Sequence, residues 1–151
     1  GSAFNGPNSP LTSQLALRSK STIWRFMVTR IFLLTIALMF FAFGGWSIVD
    51  PLGMTSQLGV QVTGPAGAFE IRGVYGGISL GAALLCLAGG LKPDLERPAL
   101  YFLVAYMGGY ILGRGASLIA GDTALSTSWG FAGFEAIVFA LALLLLRTPK
   151  K

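Results

Sequence analysis

The sequence predicts an all-α integral membrane protein: a four-helix transmembrane bundle with a short N-terminal amphipathic segment. Of its 151 residues, 54% are hydrophobic and 11% are charged, whereas about 25% are charged in a soluble domain. Four stretches stay apolar over about the 20 residues that a helix needs to cross a bilayer. Most lysines and arginines flank these stretches, which is typical of multi-pass membrane proteins.

The N-terminal residues 1–23 are predicted to be a cytoplasmic tail, ahead of a transmembrane domain of residues 24–147. Ser9-Pro10 is a typical helix start. The residues that would give the following helix its apolar face and basic flank are Leu11, Leu15, Arg18 and Trp24. We expect this helix to lie on the inner membrane surface.

The first span is predicted at about residues 28–49, because Ile31 to Val49 is uncharged and Asp50-Pro51 closes the run. A secretory signal peptide is the competing interpretation. The run is long for a signal core, and no cleavage site of small residues follows it in good position. A membrane span is therefore the favoured interpretation.

The second span is predicted at about residues 66–91. Its helix would start near Gly64-Pro65, because proline is favoured in the first turn of a helix. The connection before it, residues 51–67, is long and carries apolar side chains without charge. This connection either dips into the outer interface or caps the bundle, or it is a plain loop.

The third span is predicted at about residues 99–121, interrupted only by Arg114. Pro93 and Pro98 mark the tight turn that separates it from the second span. A turn this short makes the second and third spans neighbours in the bundle.

The fourth span is predicted at about residues 129–147, interrupted only by Glu135, and residues 148–151 form a basic tail. The connections after the first and third spans contain no lysine or arginine. The bases at the other span ends are Arg18, Lys20, Arg25, Arg30, Lys92, Arg97, Arg147, Lys150 and Lys151. The positive-inside rule therefore places both termini in the cytoplasm, which agrees with an even number of spans.

Six polar side chains within the spans form the candidate binding site: Glu70, Arg72, Tyr75, Tyr110, Arg114 and Glu135. At the helical rise of 1.5 Å per residue, the four charged ones lie about 8–10 Å from the outer helix ends. A charge in hydrocarbon costs about 2.5–3.5 kcal/mol and is tolerated mainly when it is paired or faces a cavity.

We therefore expect the charges to pair between helices. Glu70 or Glu135 would hold Arg114, and Arg72 would take the other acid or reach the outer surface. Tyr110 lies four residues before Arg114, on the same helix face, and can donate to a carboxylate.

Three interpretations of this charge cluster stay open. It is an ion cluster that fixes helix register, a pocket, or a docking site for another protein. As a pocket it would take a headgroup, a quinone-like or steroid-like molecule, or a proton.

Glycines at fourth-residue spacing predict close packing between the second and third spans. They are Gly73, Gly77, Gly81, Gly109 and Gly113. Small residues let helix backbones approach in membranes. Packing within one molecule is the favoured interpretation over homodimerisation, and Gly77→Leu would then overpack the contact.

The composition argues against several chemistries. The chain has no histidine, and its one cysteine, Cys86, lies in an apolar run, where a small buried hydrophobic residue is expected. Haem held by histidine, histidine-based zinc or copper sites and internal disulfides are therefore not expected, and no metal site is predicted. We expect no intrinsic cofactor, although a bound lipid, quinone or pigment would fit. The basic residues flank spans, so no nucleic-acid partner is expected.

The segment Glu70-Ile71-Arg72-Gly73-Val74-Tyr75-Gly76-Gly77 resembles the E-x-R-G-x-Y-G-G signature of a bacterial family of small four-helix membrane proteins. This family is known only as a domain of unknown function. The chain is also similar to it at Gly113-Arg114, Asp122 and Glu135, and the likeness spans about Ile31 to Leu146. The resemblance implies a four-helix bundle in the bacterial inner membrane and implies no activity.

These observations favour a non-catalytic accessory subunit of a larger membrane complex, for which a respiratory or photosynthetic complex is one host. The alternative is a binder or transporter of a small ligand or lipid that uses the charged pocket of the outer leaflet. An enzyme acting on a lipid is not expected, because no nucleophile–base pair is visible. The expected partners are membrane lipids and other membrane-protein subunits, in a bacterial inner or intracytoplasmic membrane.

Overall fold

The computed structural model describes the backbone of residues 10–147 and the side chains of residues 24–147. This part of the chain is helical and contains no strand. The helices are α1 (Pro10–Val49), α2 (Pro51–Gln57), α3 (Gly64–Ile71), α4 (Ile78–Leu91), α5 (Pro93–Ala120) and α6 (Ser126–Arg147). A π-helical turn, Arg72–Gly77, joins α3 to α4 without a break.

Four helical segments are long and apolar enough to cross a membrane, which confirms the predicted fold class. We call them the first to fourth spans: Trp24–Val49, Gly64–Leu91, Pro93–Ala120 and Ser126–Arg147. Helix α1 has 40 residues and begins well before the first span, so the predicted N-terminal helix and this span are one continuous helix. Predictions for residues 1–9 and 148–151 lie outside the described residues.

The connection between the first and second spans is folded rather than a plain loop. Its helix α2 is capped by Asp50, whose carboxylate accepts a hydrogen bond from the Gly53 N–H at 3.0 Å. Met54 and Thr55 of this helix are buried. The Thr127 hydroxyl donates to the Gln57 carbonyl at 3.1 Å. The connection therefore caps one end of the bundle, which was one of the three interpretations left open by the sequence.

Helix α5 begins earlier than the sequence predicted. It starts at Pro93, and Lys92 alone separates it from α4. Pro98, predicted to lie in the turn, is inside the second turn of the helix. Proline lacks an N–H, so the backbone hydrogen bond to the carbonyl four residues earlier is missing at this position.

The spans pack in the spatial order first, second, third and fourth, each against its neighbours in sequence. The core lies toward the α4–α5 turn, and its members are Leu33, Ile36, Ala37, Phe40, Ala82, Ala83, Cys86, Ala99, Leu100, Leu103, Met107, Val138 and Ala142. We call the opposite half, which carries the connections 50–63 and 121–125, the loop half. Few of these core side chains come from the loop half.

The tightest backbone approach in the loop half joins the first and second spans at Gly44 and Gly76. A Cβ added to Gly44 would lie 3.1 Å from the Gly76 carbonyl oxygen, and one added to Gly76 would lie 2.6 Å from Ile48. Small residues allow so close a crossing of two helices, and a larger side chain would force them apart.

The predicted contact between the glycine faces of the second and third spans is wrong. A Cβ added at Gly73, Gly81, Gly109 or Gly113 would meet no heavy atom within 4 Å, and at Gly77 only a carbonyl oxygen of its own helix, at 3.8 Å. The second and third spans meet instead at Gly89, where a Cβ would lie 2.5 Å from that of Ala99. Spacing identifies a small-residue face but does not say which way it points.

Three arginines tie the ends of helices to their neighbours. Each donates to a carbonyl in the last turn of another helix, where carbonyls lack a partner within the helix. The donor–acceptor pairs are Arg30 Nε to Gly90, Arg72 Nε to Ile48, both 2.9 Å, and Arg97 Nη2 to Leu146, 3.3 Å. Positive charge at these C-terminal ends also interacts favourably with the negative end of the helix dipole.

Candidate functional site

A cavity opens among the four spans in the loop half. It has an inner part of about 440 Å³ and an outer part of about 740 Å³, both within the usual range for small-molecule sites. The two parts share the wall residues Leu58, Tyr75, Tyr106, Tyr110, Arg114 and Phe131. The outer part extends to the connection between the third and fourth spans, at Asp122 and Thr123.

Aromatic rings from all four spans line the inner part. Phe43 of α1 meets Tyr75 edge-on, with ring centres 6.5 Å apart, and meets Phe131 of α6 at 6.2 Å. Phe40 meets Tyr106 of α5 in the same manner at 5.8 Å. Edge-to-face contact is a preferred arrangement of aromatic rings. The wall is therefore largely aromatic.

A two-pronged ion pair borders the cavity. Arg114 Nε donates to Glu135 Oε2 at 2.6 Å, and Arg114 Nη2 donates to Glu135 Oε1 at 2.7 Å. This geometry uses both carboxylate oxygens and is the strongest form of an arginine–carboxylate contact. The Glu135 side chain is 7% exposed, whereas that of Arg114 is 36% exposed. The predicted pairing of Arg114 with a carboxylate from another span is confirmed.

Two tyrosines follow the ion pair along α5. Tyr106, Tyr110 and Arg114 are each four residues apart, so they form one stripe on the helix surface. The Tyr106 and Tyr110 hydroxyl oxygens are 3.1 Å apart and share a hydrogen bond. The Tyr106 ring also stacks on Phe102, with centres 5.2 Å apart. The stripe gives the aromatic wall its polar edge.

Tyr75 reaches the cavity from the π-helical turn of the second span. The turn contains Gly73, Gly76 and Gly77, which tolerate irregular backbone better than residues with side chains. π-Helical turns inside α-helices occur frequently at functional sites. Tyr75 lines both parts of the cavity.

Four of the six predicted site residues meet at this cavity: Tyr75, Tyr110, Arg114 and Glu135. Glu70 and Arg72 do not. Glu70 is exposed, and Arg72 caps the first span through the Ile48 carbonyl. A helix turns by about 100° per residue, so with Ile71 buried against the bundle, Glu70 before it faces away. Equal depth therefore did not bring all four charges together.

Other cavity residues were not singled out from the sequence. Tyr106 is one, and its spacing of four residues from Tyr110 was a usable signal. No sequence signal singles out the four phenylalanines, because aromatic residues are common throughout apolar spans. They are Phe40, Phe43, Phe131 and Phe134. Gly109 and Gly113, predicted as packing residues, line the outer part of the cavity instead.

No group of histidine, cysteine, aspartate or glutamate side chains within the described residues could hold a metal ion. Cys86 is buried in the core, as its apolar surroundings predicted, and it lies outside the cavity lining.

Comparisons with known proteins identify a family and no individual relative. No curated protein and no solved structure matches the chain. A sequence family described as a domain of unknown function matches residues 28–146, which include all four spans nearly entirely. The chain therefore belongs to this family, the domain of unknown function DUF4345.

Proposed function

We propose that the protein binds a small, mainly apolar molecule in the cavity of the loop half, without a chemical step. The observation that carries this proposal is the position of the Arg114–Glu135 pair at an open, aromatic-lined cavity. An ion pair that served only to fix helix register could be closed off on every side. Here Arg114 stays 36% exposed beside a space of ligand size.

Filling the cavity tests the proposal. Gly109→Leu places a side chain into the outer part of the cavity, where an added Cβ meets no atom within 4 Å. We expect the variant to fold, because leucine has a higher helix propensity than glycine. It should retain at least tenfold less of the small molecule that copurifies with the wild type. Mass spectrometry of organic extracts of the purified protein measures this loss.

Gly81→Leu is the matched control, because it makes the same exchange at an open glycine outside the cavity lining. It should keep the copurifying molecule at the wild-type level. Equal extracts from wild type and Gly109→Leu would contradict binding in this cavity.

The setting of this function is proposed to be a bacterial inner or intracytoplasmic membrane, with both termini and Lys92 in the cytoplasm. The asymmetry of basic residues supports this orientation. Exposed tryptophans near the span ends, Trp24, Trp46 and Trp129, support membrane insertion, because tryptophan favours the interface. We also propose that the segment from Glu70 to Gly77 is the signature of the family.

Cysteine labelling tests the orientation. Ser56→Cys and Ser126→Cys lie in or next to the two connections of the loop half, and both positions are exposed. We expect a membrane-impermeant maleimide to label them from the outside of intact cells, and to label Lys92→Cys only after lysis. Cys86 is buried and serves as the unlabelled background. Labelling of Lys92→Cys in intact cells would contradict the orientation.

A second candidate function is that of a non-catalytic accessory subunit of a larger membrane complex. It is favoured by the outward face of the second span, where Phe69 is 75% exposed beside the exposed carboxylate of Glu70. Gly73, Gly77 and Gly81 continue this face without a neighbour.

The pair of variants described above separates the two functions. For an accessory subunit, Gly81→Leu would release a copurifying protein in mild detergent, whereas Gly109→Leu would keep it. For a ligand binder, Gly109→Leu would lose the copurifying small molecule, whereas Gly81→Leu would keep it.

A further inference from the structure

We infer that the cavity recognises a neutral ligand with a conjugated ring carbonyl, as in quinones and cyclic enones. This inference rests on the proposed function. It follows from the hydrogen-bonding groups, the charges and the rings of the cavity wall.

The inner part of the cavity has hydrogen-bond donors that find no partner among the described residues. A guanidinium carries five N–H donors, and Glu135 takes two from Arg114, which leaves three. Within residues 24–147, no other hydrogen bond is found for Arg114, and none for the Tyr75 hydroxyl. Tyr106 and Tyr110 share one hydrogen bond, so one of their two protons stays available.

The one carboxylate of the inner part is occupied. Both oxygens of Glu135 accept from Arg114, and the side chain is almost fully buried. Tyrosine hydroxyls can accept as well as donate, so the surplus of donors comes mainly from Arg114. A ligand that satisfies this wall must therefore bring an acceptor oxygen.

The charges disfavour an ion. Arg114 and Glu135 cancel, and the third charged side chain of the lining, Asp122, is acidic and lies at the outer part. An anion such as a carboxylate or phosphate would lose hydration without meeting net positive charge. In the inner part, where Asp122 is not in the lining, a cation would find the Glu135 carboxylate already paired with Arg114. A neutral carbonyl accepts from Arg114 at the lowest desolvation cost.

The rings favour a flat ligand. Phe40 and Phe43 from the first span, Tyr75 from the second and Phe131 from the fourth line the inner part. Flat rings gain edge-to-face or offset-stacked contacts on such walls, which flexible alkyl chains do not make. A ring that carries its carbonyl within the same plane can touch Arg114 and the aromatic wall together.

The test compares three probes of similar size with the full chain in lipid nanodiscs. They are a decyl-substituted dimethoxy-methyl-1,4-benzoquinone, the hydrocarbon decyl-trimethylbenzene and the anion 4-decylbenzoate. Binding is measured by competition against the tritiated quinone at matched membrane concentrations. We expect the hydrocarbon and the anion to bind at least tenfold more weakly than the quinone.

Tyr75→Phe removes one hydroxyl and keeps the ring. It should weaken quinone binding by about threefold to tenfold and leave hydrocarbon binding unchanged, because a single hydrogen bond is lost. Tyr101→Phe, at an exposed tyrosine outside the cavity lining, is the control and should change neither.

Equal binding of quinone and hydrocarbon, or tighter binding of the anion, would overturn the inference and leave the proposed function standing. If no probe binds, the inference falls. The extracts of wild type and Gly109→Leu then decide separately whether the proposed function falls with it.

Discussion

Glu135→Ala is expected to lower the free energy of unfolding in detergent by about 3 kcal/mol, because it leaves the Arg114 guanidinium without its carboxylate. Removal of one partner of a buried pair costs about 3–5 kcal/mol, and we take the lower end because Arg114 is 36% exposed. Unfolding by a denaturing detergent, followed by circular dichroism, measures the change.

The double variant Arg114→Met/Glu135→Leu is the control. It replaces both charges by apolar side chains, and such exchanges are often neutral or stabilising. We expect it to recover most of the stability that Glu135→Ala loses. Equal losses in the single and double variants would show that the ion pair contributes through its packing volume and not through charge pairing.

Gly76→Leu is expected to destabilise the fold by about 3 kcal/mol, because any side chain at this position enters the contact between the first and second spans. The added Cβ alone would lie 2.6 Å from Ile48 and 3.5 Å from the Gly44 carbonyl oxygen. The backbones must separate to admit leucine. Thermal unfolding in detergent, measured by loss of monodisperse protein, reports the effect.

Gly77→Leu is the matched control, one residue further along the same π-helical turn. The nearest atom to its added Cβ is the Arg72 carbonyl oxygen at 3.8 Å, so the side chain points into free space. We expect a melting temperature close to that of the wild type. Equal destabilisation by both variants would mean that the turn itself, and not the contact at Gly76, is sensitive to substitution.

The predicted spans show what hydropathy and prolines can specify. Apolar runs gave four helices of spanning length, and Asp50, Lys92 and Gly121 mark their ends in the structure much as predicted. The misplaced turn at Pro98 has a local cause. Pro98 lies in the second turn, where its ring removes one backbone hydrogen bond and the helix continues, so proline is compatible with helix as well as with a turn.

The candidate site was predicted in part, because depth along a helix is linear in sequence whereas direction depends on packing. Arg114 and Glu135 met because their two helices are adjacent. Glu70 has nearly the same predicted depth and faces away. The same limit applies to the glycines, since Gly76 and Gly77 are adjacent in sequence and only Gly76 is buried.

The sequence by itself determined the class of this protein. The length of its apolar stretches specifies four helices, and charges of both signs within them require pairing or a cavity. Tertiary structure decided which charges pair, which glycines meet and where space remains. The physical reason is that hydropathy and helical rise are local properties of the chain. A cavity instead exists only where side chains from four separate helices leave a gap, and Tyr75, Tyr106, Arg114 and Phe43 border it only after all four have packed.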